Sequence, residues 1–135
     1  MAKPQHVVYF RASVEDKPGA LLEVLKDLKA KNLGLVGLWA YGVAGGKTDI
    51  YFIAKNPEKV KNTLQASGLL AGEGTGLWIK GADKTGALLK PLEAIAKAGV
   101  NIEATHALAF GGKYGSFFRV KPEDVEKASQ ALGGK

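Results

Sequence analysis

Val7 to Val14 is an apolar, β-branched and aromatic run that alternates well enough for a strand covered on one face. The period then changes. From Pro18 to Lys31 the apolar residues Leu21, Val24, Leu25 and Leu28 recur at helical spacing, behind Asp16 and a proline suited to a first helical turn. Gly34 to Val43 and Thr48 to Ala54 read as two strands joined by the hairpin Ala44-Gly45-Gly46-Lys47. Asn56, followed by Pro57, caps a second helix that ends at Gly68. Leu69 to Ala71 supplies a short fourth strand, and Gly72-Glu73-Gly74-Thr75-Gly76 reads as a link.

The same order then begins again. Asp16-Lys17-Pro18-Gly19-Ala20-Leu21-Leu22 returns as Asp83-Lys84-Thr85-Gly86-Ala87-Leu88-Leu89, an offset of 83 − 16 = 67. Asn56-Pro57-Glu58-Lys59-Val60 returns as Lys121-Pro122-Glu123-Asp124-Val125, with the prolines 122 − 57 = 65 apart. A shorter hairpin turn in the second copy is the simple explanation for the lost two residues. The second copy reads as strand Leu77 to Ala82, helix Gly86 to Ala98, strand Val100 to Phe110, turn Gly111-Gly112-Lys113, strand Tyr114 to Val120 and helix Pro122 to Leu132. The predicted fold class is α+β: two ferredoxin-like βαββαβ modules, residues 1–72 and 73–135, each an antiparallel sheet with both helices on one face. The second lacks a fourth strand of its own, so one edge of its sheet needs a cover, from a partner chain or from a strand of the first copy.

Composition narrows the chemistry. The 135 residues contain no cysteine, which excludes disulfides, thiolate catalysis and cysteine-based metal sites. Two histidines without carboxylates at ligand spacing make no metal site, and no cofactor is implied. No nucleophile elbow, phosphate-loop lysine motif or His-Glu-x-x-His occurs, so no catalytic residue is assigned and the chain is read as a non-enzyme. The absence of a long apolar run predicts a cytoplasmic protein with no membrane partner. The net charge of +6 comes mostly from lysines scattered beside acids, which reads as solvated faces rather than a nucleic-acid stripe.

The remaining chemistry lies where each first strand becomes a helix. An acid, a base and a glycine there can form a helix cap and a turn, or a nest that holds a carboxylate while Asp16 or Asp83 holds an ammonium group. These two segments, with Lys97-Ala98-Gly99-Val100-Asn101-Ile102 leading into a second strand, resemble the ACT domain, and the resemblance spans about residues 6 to 133. ACT modules are non-catalytic regulatory domains, often for amino acids, and commonly pair side by side. The resemblance implies a small-molecule ligand, an amino acid, between the modules, a homodimer, and a partner enzyme or regulator.

Carried over position by position, the resemblance implies ligand contacts from Asp16, Gly19, Ala20 and Leu21 in the first loop and from Asp83, Thr85, Gly86, Ala87 and Leu88 in the second. Asn101 and Ile102 match the start of the family's second strand. Gly34 stands at the position of Asn101 in the first copy and Asn32 is a weaker match, so the two sites are expected to be unequal. Trp39 and His106 occupy equivalent positions in the second strands, where either could border the pocket or simply pack.

Two other classes compete. The same surfaces could serve assembly alone, with no small ligand. RNA-recognition modules share the βαββαβ order, and Lys113-Tyr114-Gly115-Ser116-Phe117-Phe118-Arg119-Val120 lies where their stacking aromatics belong, though its glycine is out of register. Phe117 and Phe118 must face opposite sides of the sheet, so at most one could meet a base.

Overall fold

The computed structural model describes residues 3–133. The elements run β1 (Gln5–Glu15), α1 (Ala20–Ala30), β2 (Leu35–Val43), β3 (Lys47–Ala54), α2 (Pro57–Ala66), β4 (Leu70–Ala82), α3 (Leu89–Lys97), β5 (Ala104–Phe110), β6 (Lys113–Arg119) and α4 (Val125–Ala131), the last preceded by a 3-10 turn at Pro122–Asp124. They form two compact units. One is Val8–Gly74; the other joins the residues from Thr75 onward to the N-terminal segment that ends at Val7.

In the first unit the strand order is β2-β3-β1-β4, with β1 to β3 and β2 to β3 antiparallel. Phe10, Ala12 and Val14 on β1 and Ile50, Phe52 and Ala54 on β3 point to one face. There they meet Val24 and Leu28 of α1 and Val60 and Leu64 of α2 in one buried core. The intervening residues cover the other face, where Trp39 stacks on Tyr51 with ring centres 5.6 Å apart and Arg11 pairs with Asp49 at 3.6 Å. The start of α2 follows the sequence reading: Asn56 Oδ1 accepts the Lys59 N–H at 3.3 Å, and Pro57 occupies the first turn.

The second unit repeats this order as β1-β4-β6-β5, using the opening residues of β1 and the latter part of β4. Its core is Leu77 and Ile79 from β4, Phe118 from β6, Ile95 and Val100 at α3, and Val125, Ala128 and Leu132 at α4. The fourth strand missing from this copy is therefore the start of β1, which answers what covers that edge. Phe118 joins the core and Phe117 faces the opposite side, as alternation requires.

Several expectations are corrected. The predicted short strand, glycine link and new first strand are one strand of thirteen residues, Leu70–Ala82. Gly72, Gly74 and Gly76 recur at period two on one face of that strand, and they are glycine because large side chains lie over them. A Cβ at Gly74 would lie 2.6 Å from the Tyr9 hydroxyl, and one at Gly76 would run into the Phe117 ring. Space, and not flexibility, explains them.

The helix predicted from Gly86 begins instead at Leu89. Pro91 is the reason, because its ring would clash with the carbonyl of residue 87 in any earlier helical turn. The strand expected from Val100 begins at Ala104, since Val100 closes the end of α3 by donating to Ile95 O at 3.2 Å and packing into the core.

The two lost residues also lie apart. Val43 pairs with Lys47 across a three-residue turn, while Phe110 pairs with Lys113 across Gly111-Gly112. The hairpin accounts for one. The other is Asn56: Ala54-Lys55-Asn56-Pro57 corresponds to Val120-Lys121-Pro122, so the second copy has no capping side chain and enters α4 through a 3-10 turn.

Candidate functional site

Each strand-to-helix loop is pinned by its hairpin. The Asp16 N–H donates to Gly46 O and the Asp83 N–H to Gly112 O, both at 3.0 Å. Gly19 and Gly86 take positive φ, 86° and 77°, which a glycine adopts without strain. Neither aspartate caps its helix: the residues before α1 and α3 are Gly19 and Leu88, and no side chain caps either. The carboxylates are thus left for other uses, and here the two copies part.

Thr48 Oγ1 donates to Asp16 Oδ1 at 3.1 Å, and Asp16 Oδ2 lies over Gly42. Next to it, Lys47 Nζ donates to Glu15 Oε1 at 2.6 Å. That hydrogen bond and the lysine's charge, with Lys17 adding to them, hold the Glu15 carboxyl below its usual pKa. Ala20 and Leu21 pack against the first core. Ala20 also lines a cleft of about 590 Å³ floored by Val24, Leu28 and Leu64, whose lining does not include Asp16, Gly19 or Leu21.

The second loop is arranged differently. Asp83, Lys84, Gly86, Ala87 and Leu88 together line a cleft of about 290 Å³ closed by Ala107, Leu108, Ala109 and Tyr114. Register places Tyr114, opposite Gly81, where Thr48 stands opposite Val14 in the first copy. Among the described residues no side chain holds the Asp83 carboxylate. Thr85 lies on the other side of the loop, in an adjoining cleft of about 500 Å³ that Gly86 and Ala87 also border. One open carboxylate, beside a glycine backbone and an apolar wall, can hold an ammonium group while a hydrophobic side chain is buried.

Asn101 and Ile102 are not gathered with this loop inside their unit. They precede β5 at its Ala104–Arg119 end, whereas Asp83 is tied to the turn at the Phe110–Lys113 end. Asn101 is exposed and Ile102 packs on the second core. Asn32 has a different role: with φ of 57° it ends α1 in the left-handed conformation, as Gly99 with φ of 74° ends α3. It is the counterpart of Gly99, 99 − 32 = 67 positions on, and not of Asn101.

Trp39 is held by its stack on Tyr51, and His106 sits opposite Phe117 between β5 and β6. Burial, and then the charge of Arg119, push the His106 pKa down. Phe117 is 1% exposed, so it offers no ring to a base, and Arg11 is engaged by Asp49 and by Ala71 O at 3.1 Å. Among the described residues no group of three or more His, Asp or Glu side chains is placed to hold a metal. No helix among them is long and apolar enough to cross a membrane.

No family model matches the chain, and no curated protein matches it. Solved structures do. A protein from Bacteroides thetaiotaomicron superposes with a TM-score of 0.84 at 24% identity, over 96% of this chain and 88% of that one. The ligand-free regulatory subunit of aspartate kinase from Thermus thermophilus gives a TM-score of 0.67 at 18% identity, over 96% and 93% of the two chains. The regulatory subunit from Thermus flavus gives 0.65 at 17%, again over 96% and 93%. The fold of this chain is thus the fold of those regulatory subunits, along nearly its whole length.

Proposed function

We propose that this protein is a non-catalytic, cytoplasmic regulatory protein made of two ACT-like modules, and that it binds an amino acid at the second-copy loop and passes occupancy to a partner enzyme or regulator. One observation carries the reading: of two duplicated aspartates, Asp16 is satisfied by Thr48 while Asp83 faces an open, mostly apolar cleft. The shared fold with subunits described as regulatory supports the class of function. Asp83 would take the ammonium group, the backbone around Gly86 the carboxylate, and Leu88 and Leu108 the side chain. Occupancy acts by population shift, limited by the ligand's preference for one state over the other. Asn101 and Ile102 would enter the site from the second module of a partner chain, in the side-by-side pairing that the resemblance implies.

A thermal-shift panel of the twenty amino acids at millimolar concentration tests this. A shift of several degrees for one chemical class, lost in Asp83→Ala, is the expected result. A flat panel with melting that depends on protein concentration alone would instead favour an assembly module. That second reading has its own observation: Leu108 and Phe110 on strand β5 are 82% and 94% exposed.

A further inference from the structure

The two copies differ most in charge, at positions that strand register makes equivalent. Glu15 lies opposite Lys47 across β1 and β3, and Ala82 lies opposite Lys113 across β4 and β6, so residues 13, 15, 17 and 23 correspond to 80, 82, 84 and 90. In the first copy Ser13, Glu15, Lys17, Glu23 and Lys47 all line the cleft of about 590 Å³ beside α1. Two lysines there, Lys17 and Lys47, face three carboxylates, since Asp27 lines the same cleft. In the second copy Lys80, Ala82, Lys84 and Lys90 line the cleft of about 500 Å³, with Thr85 and Tyr114. Lys113 stands beside Ala82.

Each exchange runs in the positive direction: serine to lysine, glutamate to alanine, glutamate to lysine, with Lys17 and Lys47 kept as Lys84 and Lys113. Among the described residues no carboxylate lines this cleft, and Asp83 lines the neighbouring one. The 2.6 Å pair that neutralises Lys47 has no counterpart at Lys113, because its carboxylate has become Ala82. The start of α3 adds little, since the Leu89 N–H is spent on Gly86 O and Pro91 has none. The charge comes from side chains. A concave site lined by one sign of charge concentrates counter-ions, and lysines, as mobile point charges with three donors each, suit a ligand whose charge is spread over several oxygens.

We propose that this second-copy cleft binds a polyvalent anion, a small phosphate-bearing molecule. The volume is that of a small-molecule site. It shares Lys84, Gly86, Ala87 and Tyr114 with the Asp83 cleft but does not use Asp83, and its test reads anion binding rather than amino-acid binding.

Calorimetric titration with inorganic pyrophosphate at low ionic strength tests it. The expected result is saturable one-to-one binding that weakens with added salt, as exposed charges require. Ala82→Glu, which restores the partner of Lys113, and Lys90→Glu, which restores the first copy's acid, should each weaken binding at least tenfold. Both positions are exposed, so the fold should tolerate either. Lys29→Glu, on α1 of the other unit, should leave the affinity within twofold. Absence of binding at millimolar pyrophosphate would overturn the proposal. So would equal weakening by all three variants, which would mean only diffuse attraction to a chain of net charge +6.

Discussion

Thr48 donates a hydrogen bond of 3.1 Å to the Asp16 carboxylate, and the residue in its place in the second copy, Tyr114, leaves Asp83 open to a cleft. A duplicated motif has therefore become a structural turn in one copy and a candidate site in the other. The difference rests on one hydroxyl from a neighbouring strand.

That bond has a measurable worth. Thr48→Val keeps the shape of the side chain and removes the donor, and should cost about 0.5–1.5 kcal/mol in urea unfolding. Asp16→Ala in the Thr48→Val background should cost less than in the wild type, and that coupling reports the bond itself.

Gly76 and Gly45 separate two reasons for being glycine. Gly76→Ala drives a methyl into the Phe117 ring and should destabilise by about 1–3 kcal/mol, with part of the loss recovered in a Phe117→Leu background. Gly45, with φ of 88° and nothing near its missing side chain, should lose only about 1 kcal/mol on Gly45→Ala, from backbone strain, with no dependence on residue 117.

The glycines also separate what is legible in the sequence from what is not. Strand alternation around Phe10 and Phe52, helical spacing at Val24 and Leu28, and the Asn56-Pro57 start are local patterns, and each appears in the structure where the spacing places it. Gly72, Gly74 and Gly76 looked like a link because composition does not say which rings lie above them; their period of two was the signal available. Pro91 could have moved the start of α3 to Leu89 from sequence alone. Asn32 is the counterpart of Gly99 and not of Asn101: a left-handed helix end favours Asn as it does Gly, and residue type alone does not separate that from a ligand contact. The inequality of the loops was legible only in part. Thr48 is 32 residues from Asp16, and strand pairing brings them together.

Stability should depend on pH in two windows. The Glu15 carboxyl has a folded pKa below the ordinary value of a glutamate. Its contribution is therefore present above that value and is lost as pH falls through the folded pKa. In Lys47→Met that acid loss should shrink, as seen in urea midpoints compared between pH 7 and pH 3.

The His106 pKa is also depressed, below the ordinary imidazole value of about 6.5. Its neutral form is favoured in the fold, so below 6.5 the unfolded chain takes up the proton first and stability falls as pH drops towards the folded pKa. His106→Leu should flatten the stability profile between pH 7 and pH 5. An unchanged slope would contradict the assignment.

Strand β5 ends the second unit's sheet order, carries no Asp, Glu, Lys or Arg, and exposes Leu108 and Phe110. An uncharged edge can pair with a second copy of itself without charge repulsion, even in a basic chain. On the assembly reading, the double change Leu108→Lys and Phe110→Lys should shift light-scattering mass towards the monomer while the circular dichroism spectrum stays as it is.

The central claim is that the second loop binds and the first does not. Isothermal titration of Asp83→Ala and Asp16→Ala with the amino acid that shifts wild-type melting tests it most directly. The account predicts binding abolished in Asp83→Ala and retained in Asp16→Ala. Loss of binding in Asp16→Ala with retention in Asp83→Ala, or full affinity in both, would contradict it.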